Sequence, residues 1–279
     1  MITLLSRWAA PFMLVFSIAI ATENCQAQEN NTPLDGITPR TIIKERKTLE
    51  YDFIHEKDVM WEKRIWRQIN IDEKRNHIFR NEKMPFINIL LRAVRSGEVR
   101  AYHTSNDEFK DPMSKKEACS LGITYDTFDI YDPTTFHATP TVVVNDFDPA
   151  SVRKYRIKEV FFFDEETSTM GVRILGIAPI VKRMDDSGNV LFEGPMFWAY
   201  YPELRDVLSR ELAYNEANDA GNLSWEDVFE SRMFSSHVTK ESNVHDRRIQ
   251  DYLAGTNALI EGQNIEKKIQ NFEGDLWEY

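Results

Sequence analysis

The hydrophobic positions of this chain change their period twice. From Asp58, a residue type that caps helix starts, the run DVMWEKRIWRQI sets Val59, Glu62, Trp66 and Ile69 near one face. Met60, Lys63 and Arg64 fall near another, and the spacing predicts an amphipathic helix that passes into a short extended piece at Ile69–Ile71. Phe86, Ile89, Leu90, Ala93 and Val94 then recur at three- and four-residue steps between Pro85 and Gly97. Proline at the first turn and glycine just past the end are where helix chemistry wants them, so a core helix over 85–96 is predicted.

The middle of the chain reads differently. Residues 156–164 (RIKEVFFFD), 170–180 (MGVRILGIAPI) and 190–201 (VLFEGPMFWAYY) are rich in β-branched and aromatic residues, and turn residues fill 185–189. They predict an antiparallel sheet, with a bend or bulge at Gly194-Pro195 because proline cannot donate to a strand ladder. The helical period returns at 202–212, at 224–231 behind a Ser224/Asp227 capping box, and over 243–253 and 256–272. Runs of strands and runs of helices without a βαβ rhythm make the expected class α+β, a central antiparallel sheet flanked by helices.

The first residues read as a targeting segment. Arg7 supplies a positive start, Trp8–Ala21 an apolar run of 14 residues, and Cys25-Gln26-Ala27 the small residues of a cleavage site. That run is shorter than the roughly 20 residues of a spanning helix, so export with cleavage after Ala27 is expected. A carboxylate at Glu23 argues against lipid attachment at Cys25. Residues 28–41 carry no apolar period and predict a flexible arm, and a single domain is expected over 42–279. Removing 1–27 leaves Cys119 alone, which forbids an internal disulfide, and its expected state is burial.

Net charge and motif content narrow the function. A charge of −11 with scattered cations excludes a general nucleic-acid binder. No G-x-G-x-x-G, P-loop, H-E-x-x-H or G-x-S-x-G occurs, and nothing in the chain calls for a cofactor. The histidines His237 and His245 lack the spacing and the cysteine pair of a zinc site. Asp126, Asp129 and Asp132 lack the glycine and closing glutamate of a calcium loop and read as turn or surface residues. Ser235, Ser236, His237 and Asp246 include the residue types of a nucleophilic triad, but crowding in sequence does not make them converge in space.

What stands out is tryptophan, tyrosine and arginine in polar contexts, the residue types of binding hot spots. Trp66 and Trp198 are expected in the core. Trp61, Arg64 and Arg67 on the first element, His237, Arg247 and Arg248 in the stretch RMFSSHVTKESNVHDRRIQDYLAG, and Trp277 and Tyr279 at the tail are the candidate partner-binding residues.

Five runs carry a family resemblance: DVMWEKRIWRQINIDEKRN (58–76), ILGIAP (174–179), FWAYYPELRDVL (197–208), FSSHVTKESNVHDRRIQDY (234–252) and DLWEY (275–279). Their order and spacing resemble the gliding-motility protein family GldN, also called PorN, from about residue 40 onward; residues 104–150 carry no matching motif. The resemblance implies a periplasmic structural protein of the type IX secretion system. It also implies assembly into a ring with an outer-membrane lipoprotein, GldK or PorK, and contact with the motor subunit GldM or PorM. The family has no known catalytic residues to carry over. Two other readings stay open: an exported hydrolase using Asp164 or Glu166 with His237, and a peptidoglycan-binding protein that stacks exposed aromatics on sugars.

Overall fold

A computed structural model describes residues 43–131, 138–184, 190–215, 218 and 221–277. The predicted leader 1–27, the arm 28–41, the turn 185–189 and Tyr279 lie outside the described residues.

The chain enters through an extended strap, residues 45–55, and then forms β1 (Val59–Asn70), α1 (Phe86–Ser96), β2 (Ala101–Tyr102) and α2 (Lys115–Cys119). A hairpin of β3 (Thr124–Tyr131) and β4 (Ala138–Asn145) follows, then the long strands β5 (Val152–Asp164) and β6 (Thr169–Met184), and the short β7 (Val190–Pro195) and β8 (Trp198–Tyr200). Helices α3 (Tyr201–Arg210) and α4 (Trp225–Glu230), strand β9 (His237–Glu241) and helix α5 (Thr256–Trp277) complete it. The main sheet runs β2-β8-β6-β5-β1-β9 with β7 also on β6, every pairing antiparallel, and β3–β4 forms its own two-stranded sheet. This is the expected α+β class. The bend at Gly194-Pro195 is real: one predicted strand is two, β7 and β8.

The first element departs from its prediction. Residues 59–69 are not a helix but belong to the interior strand β1, paired with β5 along one edge and β9 along the other. Trp61, Ile65, Arg67 and Ile69 point to one face and Glu62, Arg64 and Trp66 to the opposite one. The predicted helix over 243–253 is likewise absent, apart from a single 3-10 turn at Ile249–Asp251.

Among the described residues, the long helices all cover one face of the sheet. Ile69, Ile157 and Ile177 pack beneath Phe86 and Leu90 of α1, Leu204 and Leu208 of α3, and Trp225 and Phe229 of α4. Phe79, Phe86, Tyr155, Trp225 and Phe229 form an aromatic knot with ring centroids as close as 4.5 Å. Pro85 and Gly97 bound α1 as expected, Gly97 taking a left-handed φ of 83°. The Ser224/Asp227 capping box forms at α4. Trp66 and Trp198 are buried as expected, on the other face, with Tyr102, Ala178 and the partly buried Phe109. Cys119 is the exception: it is exposed at the end of α2, so the expectation of burial fails, because that helix buries only Ala118.

Before β1 begins, the strap is fastened to α3, α4 and the sheet. Arg46 donates to both oxygens of Asp227 at 2.6 and 2.5 Å, Thr48 to Asp206, and the Tyr51 hydroxyl to Glu230 at 2.6 Å. The Arg205 guanidinium sits 4.0 Å from the Tyr51 ring centroid, and Arg173 donates to the Asp52 carbonyl at 2.6 Å.

Helix α5 lies on β9 and on the same face of β1. Ala258, Ile265 and Ile269 pack with Ile65 and Val238, and Phe272 stacks on Trp61 at 4.7 Å. Gly262 sets how close it comes: a Cβ there would lie 2.9 Å from the Val238 carbonyl oxygen, a backbone atom that cannot step aside. Gly274 on the same helix faces open space. Alanine gains about 1 kcal/mol over glycine in a helix interior, whereas overpacking costs about 1–3 kcal/mol. Urea denaturation is therefore expected to show Gly262→Ala destabilised by about 1 kcal/mol or more, and Gly274→Ala stabilised by roughly 0.5 kcal/mol.

Candidate partner-docking site

The stretch 232–255 is built on a buried ion cluster. Alternation along β5 places Glu159 between Ile157 and Phe161 on the helix-covered face, and its side chain is 0% exposed. A lone carboxylate there would be costly, and two guanidiniums offset it. Arg67 Nε approaches Glu159 Oε2 at 3.1 Å as an ion pair, and Arg232 Nη2 reaches both oxygens at 2.9 and 3.0 Å. Arg67 also binds Glu266 of α5 at 2.5 Å. Arg232 holds a left-handed φ of 51°, disfavoured for any residue with a Cβ. Its grip on Glu159 compensates that strain, and the chain is turned into β9 at this point.

Two asparagines hold the ends of β9. At the entry, the fully buried Asn76 donates to the carbonyls of Asn70 and Ser235 at 2.7 and 2.8 Å and accepts from the Ser235 amide at 2.8 Å. At the exit, Asn243 donates to the carbonyls of Glu241 and Arg247 at 2.9 and 2.8 Å, and its Oδ1 accepts the amides of His245 and Arg247 at 3.1 and 3.0 Å. The loop 242–248 is thereby closed on a single side chain, with Asp246 at a φ of 51° and paired to Lys240 at 2.5 Å. Lys240 in turn stands 4.3 Å from the Trp66 ring centroid.

This clamped loop presents Val244, 98% exposed, with Arg247 and Arg248 beside it. Both arginines are exposed, and neither forms an ion pair among the described residues. Arg247 only approaches the Tyr252 ring, at 5.9 Å. Arg156 on β5 is partly buried with no carboxylate bound; burial, followed by repulsion from Arg248, lowers its guanidinium to about 10.

The predicted site residues thus divide. Arg247 and Arg248 are free at the surface. Trp61, half-buried against Phe272, and Arg67, in the ion cluster, are interior fastenings of α5. Arg64 is exposed on the opposite sheet face, paired with Glu62 at 3.1 Å. His237 is part-buried opposite Gln68. Trp277 ends the backbone of α5, and Tyr279 lies outside the described residues. The residues missed in sequence are Glu159, Arg232, Asn76, Asn243 and Val244. A lone acid at an inward strand position was the one readable signal.

Among the described residues, Asp164 and His237 do not converge. Asp164 pairs with Val59 and His237 with Gln68, nine residues apart on β1, which is about 30 Å along a strand. That separation rules out Asp164 and His237 as an acid–base pair. Asp246 is held by Lys240. Among the described residues, no group of three or more histidine, cysteine, aspartate or glutamate side chains is gathered for a metal ion.

Compared with family models, residues 54–278 match the one described as gliding motility associated protein GldN. The chain belongs to the GldN family. Membership makes it a component of the gliding motility and type IX secretion apparatus, and the match spans the strap's end, the whole main sheet and α5. A comparison with curated proteins finds no match.

Glu159→Gln would strand two guanidiniums beside a neutral amide. It is expected to destabilise by about 3–5 kcal/mol, read as a lowered urea midpoint. His237 gives a pH dependence. Burial holds its imidazole below the ordinary 6.5, so the unfolded chain takes up the proton first. Its contribution is full above that value and is lost as the pH falls below it. Comparing urea midpoints at about pH 7.5 and pH 5.5, His237→Gln is expected to lose less stability on acidification than the parent chain.

Proposed function

We propose that this chain is a non-enzymatic structural component of the type IX secretion and gliding machinery. It acts in the periplasm, at the inner face of the outer membrane, where it assembles with a GldK/PorK-like lipoprotein into a ring and meets the periplasmic region of a GldM/PorM-like motor subunit. Family membership supports the machinery. The observation that carries the docking role is the loop 242–248, which is fixed by Asn243 yet exposes Val244 and two unpaired arginines.

A loop already held in one shape loses little entropy when a partner binds, so its contacts convert to affinity efficiently. Arginine pairs with carboxylates in a bidentate manner that lysine cannot match. The partner surface that fits is therefore an apolar socket for Val244 flanked by carboxylates.

The test is co-expression with the lipoprotein, purification through a tag on the lipoprotein, and negative-stain imaging of the eluate. Rings containing both chains are expected. The double variant Arg247→Ala/Arg248→Ala is expected to weaken co-purification by about tenfold or more with an unchanged urea midpoint. Full retention by that variant would remove the loop from the interface. Absence of co-purification by the parent chain would overturn the reading as a whole.

A further inference from the structure

The hairpin β3–β4 leaves apolar surface bare. Val142, Val143 and Val144 are consecutive on β4 and 57%, 41% and 57% exposed, and Tyr125, paired with Val144, is 62% exposed. Consecutive strand residues point to opposite faces, so both faces are uncovered here. A two-stranded hairpin is marginal in water unless something packs on it. Its charge is one-sided as well: residues 118–152 contain five aspartates and no lysine or arginine.

The main sheet offers the reverse. On the face without long helices, a cleft of about 550 Å³ opens over β1, β5 and β6. Val160, Phe162 and Leu175 line it with apolar surface, and Phe162 lies so close over Gly171 that a Cβ there would meet its ring at 2.4 Å. The cleft also carries Arg64, Lys110, Lys158 and Arg173 against the carboxylates Glu62 and Glu108. Among the described residues, none of the hairpin lines this cleft within the same molecule. A chain of net charge −11 thus keeps an apolar, cationic cleft and, elsewhere, an apolar hairpin within an anionic segment.

We propose that the β3–β4 hairpin of one copy seats in the β1–β5–β6 cleft of the next copy of this chain. The two surfaces differ, so the contact is head-to-tail, the kind that propagates and closes into a ring when the rotation between copies allows. It supplies a contact for the self-association in the proposed function and requires no lipoprotein.

The test is sedimentation of the purified protein over a concentration series, with two charge-swapped variants whose folding is checked by thermal melting. One is Asp126→Lys/Asp129→Lys in the hairpin; the other is Arg64→Glu/Lys110→Glu in the cleft, where the cations replaced form only exposed ion pairs. The parent chain is expected to self-associate, and each folded variant alone to do so about tenfold or more weakly. An equimolar mixture of the two is expected to recover association, because every hairpin then meets a cleft of opposite charge. A parent chain that stays monomeric, variants that associate like the parent, or a mixture of folded variants without recovery each overturns the proposal. Self-association that survives loss of lipoprotein binding would sink the proposed function and leave this contact standing.

Discussion

Taking a carboxylate out of water is tolerable only when cations and hydrogen-bond donors replace the hydration it loses. Glu159 satisfies that condition with groups from β1 and from the turn after α4, and through Arg67 the same cluster reaches α5. Four pieces of chain distant in sequence are therefore registered against one another by one charge. Hydrophobic burial holds α1, α3 and α4 on the sheet and tolerates small slippage. The ion cluster does not, because its geometry fixes where α5 and β9 begin, and the exposed loop inherits its position from β9.

The exposed features follow the same logic of segregation. Helices are confined to one face of the sheet, so their apolar stripes are consumed internally and offer little to a partner. The other face, the hairpin and the 242–248 loop keep apolar surface exposed. In each of these an apolar element lies beside charge of one dominant sign: cations at the cleft and the loop, aspartates in the hairpin segment. Charges of one sign beside apolar surface discourage unselective sticking and favour partners of the opposite sign.

The helices and long strands were largely legible, because α1, α3, β5 and β6 have their period and their punctuation in agreement. β1 was not. It is buried on both faces in its second half, so its apolar residues do not alternate cleanly, and Val59, Glu62, Trp66 and Ile69 imitate a helical stripe. In 243–253 the side chain of Asn243 takes the backbone amides that a helix would need, a competition that periodicity does not register. Of the candidate site, Arg247 and Arg248 were legible as arginines in a polar context. Their neighbour Val244 was not, since only the closed loop shows that this apolar side chain has nowhere to pack. That Trp61 and Arg67 meet α5 was hidden for the same reason as β1: a strand aims them there.

The strap has a mechanical consequence. Its fastenings to α3, α4 and Arg173 all precede the first hydrogen bond of β1 along the chain. Tension applied upstream of residue 43 would first be carried by Arg46, Thr48, Tyr51 and Arg173, and would spread into two helices and β6 before it reached β1. The sheet is thus shielded from being unzipped strand by strand, a useful property for a component of a motility apparatus.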